Sequence, residues 1–447
     1  MRRVVIVMAM IVFVSACGSS AKTSEPKPQA STTTAAESTE PGTGVTDDTI
    51  KLGIMMVDLK CVEGAVDELR PDERRAYEVF IDQINKKGIN GRKIEPVFKA
   101  YCPVQPADAL TACTGLTEDE KVFATVGIFY DPSGDVQLCF AKQHNTPIIA
   151  DSLNEALMKK APPGFMVTPN ISSERRLKVI MELLAGEKLL AGKTVSILSN
   201  DQEKARAQKV VGDELDAIGV ERGTDASLSI GDQDTTVPQQ QLDSFIERWK
   251  GDGTNALVMV GADVSSRQFV EKIKAAIPEM LLIADNTQIN DAGQAVTKAG
   301  ISPNPYDGAI TAEGQTGLEH TKTEHFEFCS GVWERATGVE VPLPTEEVRM
   351  ANGKKNDIYG TVGDACLFTN YFATIARKVG KHLNSTNWVR TIDTFGPIDQ
   401  MSTVYASLGA GKYDSDDTYG LVEFDPTVGN AGGDWNHLTP VKNVTGG

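Results

Sequence analysis

Two hydrophobic periods alternate along this chain, and that alternation limits its folds more than any other feature. Short apolar runs recur at residues 50–57, 93–100, 122–128, 147–150, 194–199, 225–230, 256–260 and 280–284. Between them lie stretches with apolar residues at helical spacing: 71–87, 106–116, 133–144, 172–190, 203–218, 239–250 and 265–277. In 71–87 the apolar face is Ala76, Val79, Phe80 and Ile84, and Gly88 supplies a stop. Brief apolar strands separated by helices specify parallel, doubly wound sheets with both faces covered. The series runs twice, near 46–150 and 170–300. The less regular remainder predicts helices at 325–337 and 357–379, and late strands near Tyr405 and at 421–424. The expected fold class is α/β: two doubly wound parallel-sheet lobes and a C-terminal stretch shared between them.

The N-terminus reads as an address. Arg2 and Arg3 precede an apolar run over 4–14. That run is too short to span a bilayer, which takes about 20 residues, and it suits a signal-peptide core. It ends at Val14, Ser15, Ala16 and Cys17, small residues before a cysteine that resemble a bacterial lipobox. Cys17 is therefore the expected lipidation site, where two acyl chains give stable anchoring. An ordinary signal peptide with a chance cysteine is the alternative. The expected divisions are a signal peptide at 1–16 and a lipidated, Ser/Thr/Pro-rich disordered linker at 17–44. Residues 45–165 form the first part of an N-terminal lobe and 166–300 the first part of a C-terminal lobe. Residues 301–447 are shared between the two lobes and a hinge. The expected location is extracytoplasmic, lipid-anchored on the outer face of a bacterial cell membrane.

Lys+Arg 44 against Asp+Glu 61 gives −17, which argues against nucleic acid as a partner. Beyond Cys17 there are six cysteines: Cys61, Cys102, Cys113, Cys139, Cys329 and Cys366. An extracytoplasmic chain makes disulfides the default, and six thiols allow fifteen pairings. The strand map favours three. Cys61 and Cys102 follow the carboxyl ends of the first two strands. Cys113 and Cys139 lie on helices flanking neighbouring strands. Cys329 and Cys366 sit on the two C-terminal helices. No C-x-x-C occurs, and His144, His320, His325, His382 and His437 lack ligand spacing, so no metal or cofactor is expected. Asp414, Ser415, Asp416, Asp417 and Thr418 approach a calcium loop, but Tyr419 stands where Gly is needed, and a solvated turn is expected there. No G-x-S-x-G, H-E-x-x-H or P-loop motif is present, so no catalytic residues are nominated.

Residues 44–53 (GVTDDTIKLG) resemble the opening strand of the branched-chain amino-acid type of periplasmic solute-binding protein. Ile84 and Asn85, followed by residues 88–94 (GINGRKI), resemble that family's first helix end, turn and second strand. Residues 106–109 (PADA) and 121–127 (KVFATVG) are similar to its next helix and third strand. The resemblance is densest over 44–127, and the strand–helix order agrees to about 300. It implies the type I periplasmic-binding-protein fold, with two lobes joined by a hinge of three crossover strands that close on a small polar solute. It also implies delivery to an ABC permease in the membrane. A monomer is expected.

In open α/β sheets, ligands lie beyond the carboxyl ends of the strands. That rule selects Tyr130, Asp131, Ser133, Asp151 and Ser152 in the first lobe. In the second it selects Asp201, Gln202, Asp263 and Asn286. Ser133 and Ser152 suit helix N-caps that leave amides for a ligand carboxylate, and Tyr130 suits stacking. Departures from the family pattern, among them the missing tyrosine around 200–202, argue against a plain amino-acid site. Asp131, Asp151, Asp201 and Asp263 suit a cationic or hydroxyl-rich solute, so the expected solute is an amino acid, an amide or a related polar molecule. A ligand sensor or scaffold on the same fold is the second reading, and a secreted α/β hydrolase the third.

Overall fold

The computed structural model describes residues 38–447, apart from 65, 132, 231–235, 286–287, 345, 430–431 and 446–447. Cys17 and the residues before it lie outside the described residues, as does Asn286.

The first apolar series forms one sheet. Its strands are β1 (Thr49–Val57), β2 (Lys93–Tyr101), β3 (Ala124–Gly127), β4 (Ile148–Ala150) and β5 (Met166–Val167), in the order β2-β1-β3-β4-β5 and all parallel. Helix α1 (Glu73–Asn85) buries Ala76, Tyr77, Phe80, Ile81 and Ile84 against it. Gly88 follows with φ 72°, and a Cβ there would lie 2.7 Å from the Arg92 carbonyl. A side chain would clash with the turn into β2. Gly127 ends β3 at φ 138°, with space for a Cβ blocked at 2.2 Å by the Met55 carbonyl. Only glycine lets β3 run this close to β1 while it turns the chain toward the strand ends.

The second series forms a larger sheet: β6 (Thr194–Asn200), β7 (Glu221–Arg222), β8 (Ala226–Leu228), β9 (Ala256–Val260), β10 (Leu281–Ala284), β11 (Ile310–Glu313), β12 (Thr418–Asp425), β13 (Asp434–His437) and β14 (Lys442–Asn443). The order is β13-β12-β11-β10-β9-β6-β7, with β8 beside β6 and β14 beside β12. Strands β6 to β11 pair in parallel, whereas β12 pairs antiparallel with β11, β13 and β14. The expectation of a purely parallel second sheet is thus corrected at one edge. There β12 arrives from the first lobe and enters in the opposite sense. Strand β5 lies just past the division drawn at 165, and β11 falls within the stretch expected to be shared between the lobes.

The chain crosses between the sheets three times. After β5 it enters α2 (Ser173–Gly186) and the second sheet. After β11 it returns to α3 (Glu324–Thr337), α4 (Ile358–Val379) and α5 (Ser385–Asp393), which pack into the first sheet's core. There Trp388 meets Phe123 edge-on at 5.8 Å and stacks with Phe372 at 6.0 Å. Such pairs add about 0.5–1.5 kcal/mol beyond area burial. Residues 394–417 then lead back to β12.

Three disulfides join Cys61 to Cys102, Cys113 to Cys139 and Cys329 to Cys366. The acidic run at 414–417 is not the solvated turn that its composition suggests. It lies at the third crossing, where Arg175 of α2 donates to Asp414 at 2.8 Å, to Asp417 at 3.0 Å and to the Asp416 carbonyl. Lys412 adds a contact to Asp417 at 3.0 Å. The Ser172 amide also donates to Asp414, so these charges fasten the third crossing to the first.

Candidate functional site

Two sets of strand ends face one cleft of about 670 Å³. From the first sheet come the loop after β3 and the segment after β4. From the second comes the turn after β6 with the short helix Lys204–Ala207. Of the residues selected from sequence, Tyr130, Asp131, Ser133, Asp151, Ser152 and Gln202 line this cleft.

Each is held differently. The Tyr130 amide donates to the Tyr101 hydroxyl at 2.7 Å, which leaves the Tyr130 ring 54% exposed over the cleft. Asp151 accepts from the Phe129 amide at 3.0 Å. Burial pushes its carboxyl up to about 6, against the pull of that amide and with a further push from Asp364. The carbonyl of Asp151 accepts from Asn170 at 2.7 Å, tying the residue to the first crossing.

At the first helix the capping is shared, since the Ser133 hydroxyl accepts from the Asp135 amide at 3.2 Å, and at the second it falls to a neighbour of Ser152. Asp131 accepts from the Ser133 amide and hydroxyl and from the Val136 amide, closing the turn before the helix Asp135–Leu138. Asn154 caps the helix Glu155–Met158, accepting from the Leu157 amide at 2.7 Å. Asn154 stands at the N-cap position itself, and Ser152, two residues earlier, lines the cleft.

Asp201 and Asp263 do not line the cleft. The Asp201 carboxylate accepts from the hydroxyls of Ser227 at 2.7 Å and Ser229 at 2.6 Å beside β8. Asp263 accepts from the Asn200 carboxamide at 2.8 Å, and Asn200 in turn accepts from the Glu203 amide at 2.8 Å. Asp263 thereby positions the loop that carries Glu203, which pairs with Arg206.

Sequence reasoning missed Arg206, Gln137, Glu174 and Lys160, all of which line the cleft. Arg206 also lies 3.5 Å from Asp285, while its buried Nη1 has no hydrogen-bond partner among the described residues. Gln137 is 3% exposed, and its Oε1 is likewise buried without a partner. Both side chains line the cleft, but these two atoms are sealed from solvent, so what the cleft presents to a polar solute is a cation and a carboxamide side by side rather than those particular atoms. The available signal for Arg206 was its place in the first helical turn after a β6 strand end, where the carboxyl-end rule applies as much as to the loop before it.

A molecule with two α/β sheets, three crossings and a cleft at facing strand ends is a two-lobed receptor by its architecture. A family model described as periplasmic binding protein matches residues 50–316, and the chain belongs to that family. No curated protein sequence matches it. Among solved structures, it is similar to a solute-binding protein of an ABC transporter from Rhodopseudomonas palustris BisB5, in complex with 3,4-dihydroxybenzoic acid. That likeness has 15% identity, covers 89% of this chain and 98% of that one, and has a TM-score of 0.58. A fatty acid ABC transporter substrate-binding protein from Thermomonospora curvata shares 12% identity over 91% and 95% of the chains, with a TM-score of 0.60. A leucine-binding protein from Thermotoga maritima MSB8 shares 12% identity over 88% and 99%, with a TM-score of 0.58. At such identities the likeness is one of fold. Among the described residues no helix is long and apolar enough to cross a membrane.

Proposed function

We propose that this chain is an extracytoplasmic solute-binding lipoprotein. It captures a small polar solute between its lobes and delivers it to an ABC permease, without catalysing a reaction. The observation that carries this reading is the cleft itself. Tyr130 and Asp151 from one sheet face Gln202 and Arg206 from the other across about 670 Å³. Arg206 and Gln137 also line it, a cation and a carboxamide that suit a solute with both a donor and an acceptor. Amides and amino acids have that chemistry, and so do aromatic hydroxy acids such as the one bound by the Rhodopseudomonas palustris relative. Cys17 would tether the body to the outer face of the membrane.

A thermal-shift screen over amino acids, amides, polyols and small aromatic acids tests capture. A ligand at a hundred times its dissociation constant adds about 2.7 kcal/mol of stability. Closure requires tighter binding to the closed form, so small-angle scattering will show a smaller radius of gyration with ligand. Arg206→Ala will weaken binding by about 10- to 150-fold, the loss of a hydrogen bond to a charged group. A tight ligand that leaves the envelope unchanged and ignores Arg206→Ala would refute the two-lobe mechanism. Labelled palmitate incorporated equally by the full chain and by Cys17→Ala would refute the anchor.

A further inference from the structure

A second cavity, of about 240 Å³, lies between α3, α4 and the crossing segments, with none of the solute-cleft residues in its wall. Three rings form a corner of it. Phe326 and Tyr359 are inclined at 34° with centroids 5.9 Å apart. His320 stands across them at 74° to Phe326 and 88° to Tyr359, with centroids 5.8 and 6.3 Å away. Met401 and Leu367 add apolar wall, and no lysine or arginine lines the space among the described residues.

One carboxylate faces in. Asp364 of α4 holds Arg70 at 2.6 Å yet keeps 37% of its side chain exposed. Arg70 is shared: Asp357 lies 3.5 Å and Glu73 3.8 Å from the same guanidinium. Three carboxylates around one cation leave negative charge uncompensated. Burial pushes the carboxyls of Asp364 and Glu73 up, that of Glu73 to about 7. Proton uptake by Glu73 thus relieves part of this excess near neutral pH, and Asp364, held by Arg70, is the acid that faces the cavity. Burial also lowers the pKa of His320, which therefore adds no positive charge at neutral pH.

Two of the polar groups in the wall are already engaged. Asn170 donates to the Asp151 carbonyl, and the Ser330 hydroxyl donates to the Phe326 carbonyl. Most of the remaining wall is aromatic or apolar, with the Asp364 carboxylate as its one acid and the Tyr359, His320 and Ser402 side chains as its other polar groups. That combination recognises a cation with an apolar shell and few hydrogen-bonding needs. We propose that this cavity is a second binding site, for a methylated or quaternary ammonium group. The volume accommodates a trimethylammonium head with a short tail. The two cavities share no lining residue, although the Asp364 charge also reaches Asp151 in the cleft, which makes Tyr359→Leu the variant that separates the sites.

Titration calorimetry on the purified full chain tests it, with choline and tetramethylammonium as probes and the neutral carbon isostere of choline as control. Both cations will bind saturably at millimolar concentration or below, and the neutral isostere at least about tenfold more weakly, since only the charge separates it from choline. Asp364→Asn keeps the shape and removes the charge, and Tyr359→Leu removes a ring. Each will weaken choline by about tenfold, with Tyr359→Leu serving where loss of the Arg70 pair disturbs folding. The same titration on Gln202→Ala locates the probe. Undiminished choline binding there supports the second cavity. Choline lost in Gln202→Ala but kept in Tyr359→Leu would assign it to the larger cleft and overturn the proposal. Absence of saturable binding, or equal affinity for the neutral isostere, would overturn it as well.

Discussion

Asp414 at the third crossing and Asp151 in the cleft are both buried acids, but they have opposite electrostatics. At the third crossing, Asp414 and Asp417 are nearly sealed from solvent, with side chains 5% and 1% exposed, and Arg175 and Lys412 answer both. Burial alone would raise Asp414, but the Arg175 guanidinium and the Ser172 amide outweigh it and hold the carboxyl below its usual range. In the cleft, burial wins. Asp151 is pushed to about 6 with only backbone amides to relieve it. Paired acids fasten the lobes to each other, whereas acids short of partners are left for something that arrives from solution.

Cutting the clasp is the harshest test of that contrast. Arg175→Ala leaves two buried carboxylates with Lys412 alone, and breaking a buried pair in this way costs about 3–5 kcal/mol. Urea unfolding at neutral pH measures it. Asp414 has a depressed folded pKa, so its contribution is present above the unfolded value of about 4 and is lost as pH falls through the folded value. The Arg175→Ala penalty will therefore shrink in acid. A penalty below about 1 kcal/mol at neutral pH would reduce the clasp to a surface pair.

Removing a cross-link that carries no charge sharpens the same point. The Cys329–Cys366 bridge ties α3 to α4 across 37 residues of sequence. Replacing both with serine costs about 3–4 kcal/mol on a chain-entropy account. Because no titrating group is involved, this loss will stay constant over the pH range in which the Arg175→Ala loss fades. Parallel pH profiles for the two variants would erase the distinction.

How much of this contrast was legible beforehand depended on sequence distance. Strand β1, helix α1 and strand β9 announce themselves through local periodicity, since parallel strands buried on both faces are continuous apolar runs. Strands β11 and β13 and helix α5 do not, because the last 140 or so residues hold short pieces whose partners are far away in the chain. Thus β12 finds β11 from about 105 residues downstream. The cysteine pairing followed from strand ends and helix faces, which are local facts. At the site, Tyr130 and Asp151 were reachable because they directly follow strands. Arg206 was not, because residues 203–209 (EKARAQK) read as a solvated helix face. Gln137 carries no local signal, since its burial comes from packing that residues 133–144 alone do not reveal. The run at 414–417 misled for the same reason, since its counter-charge Arg175 lies 239 residues away.

A smaller effect comes from Asp151→Asn. The carboxyl's folded pKa is raised, so its contribution is greatest below the unfolded value of about 4 and is lost as pH rises through about 6. The asparagine oxygen still accepts from the Phe129 amide, and the variant will lack that decline. At pH 7.5 it will be more stable than the parent by about 1 kcal/mol in thermal or urea unfolding, a figure that allows for water in the open cleft. Ligand affinity will fall while stability rises, the trade expected of a residue kept for binding. Loss of stability at pH 7.5 would move Asp151 to the side of the clasp.

The smallest effect is expected at Asp201, which the carboxyl-end rule placed beside the ligand. Its carboxylate is held below the usual range by the Ser229 and Ser227 hydroxyls. It is exposed and directed toward β8, away from the cleft lining. Removing two hydrogen bonds at an exposed site changes stability by no more than about 0.5 kcal/mol. Because no cleft residue leans on it, Asp201→Ala will leave the affinity for a cognate solute within about twofold, against at least about tenfold for Arg206→Ala. Titration of both variants with one ligand decides the matter. A tenfold loss at Asp201 would mean that lobe closure swings the β6 turn until this carboxylate faces the solute. Adjacency to a strand end would then define the site better than the open cleft does, and the division between paired and unpaired acids would have to be redrawn for the closed form.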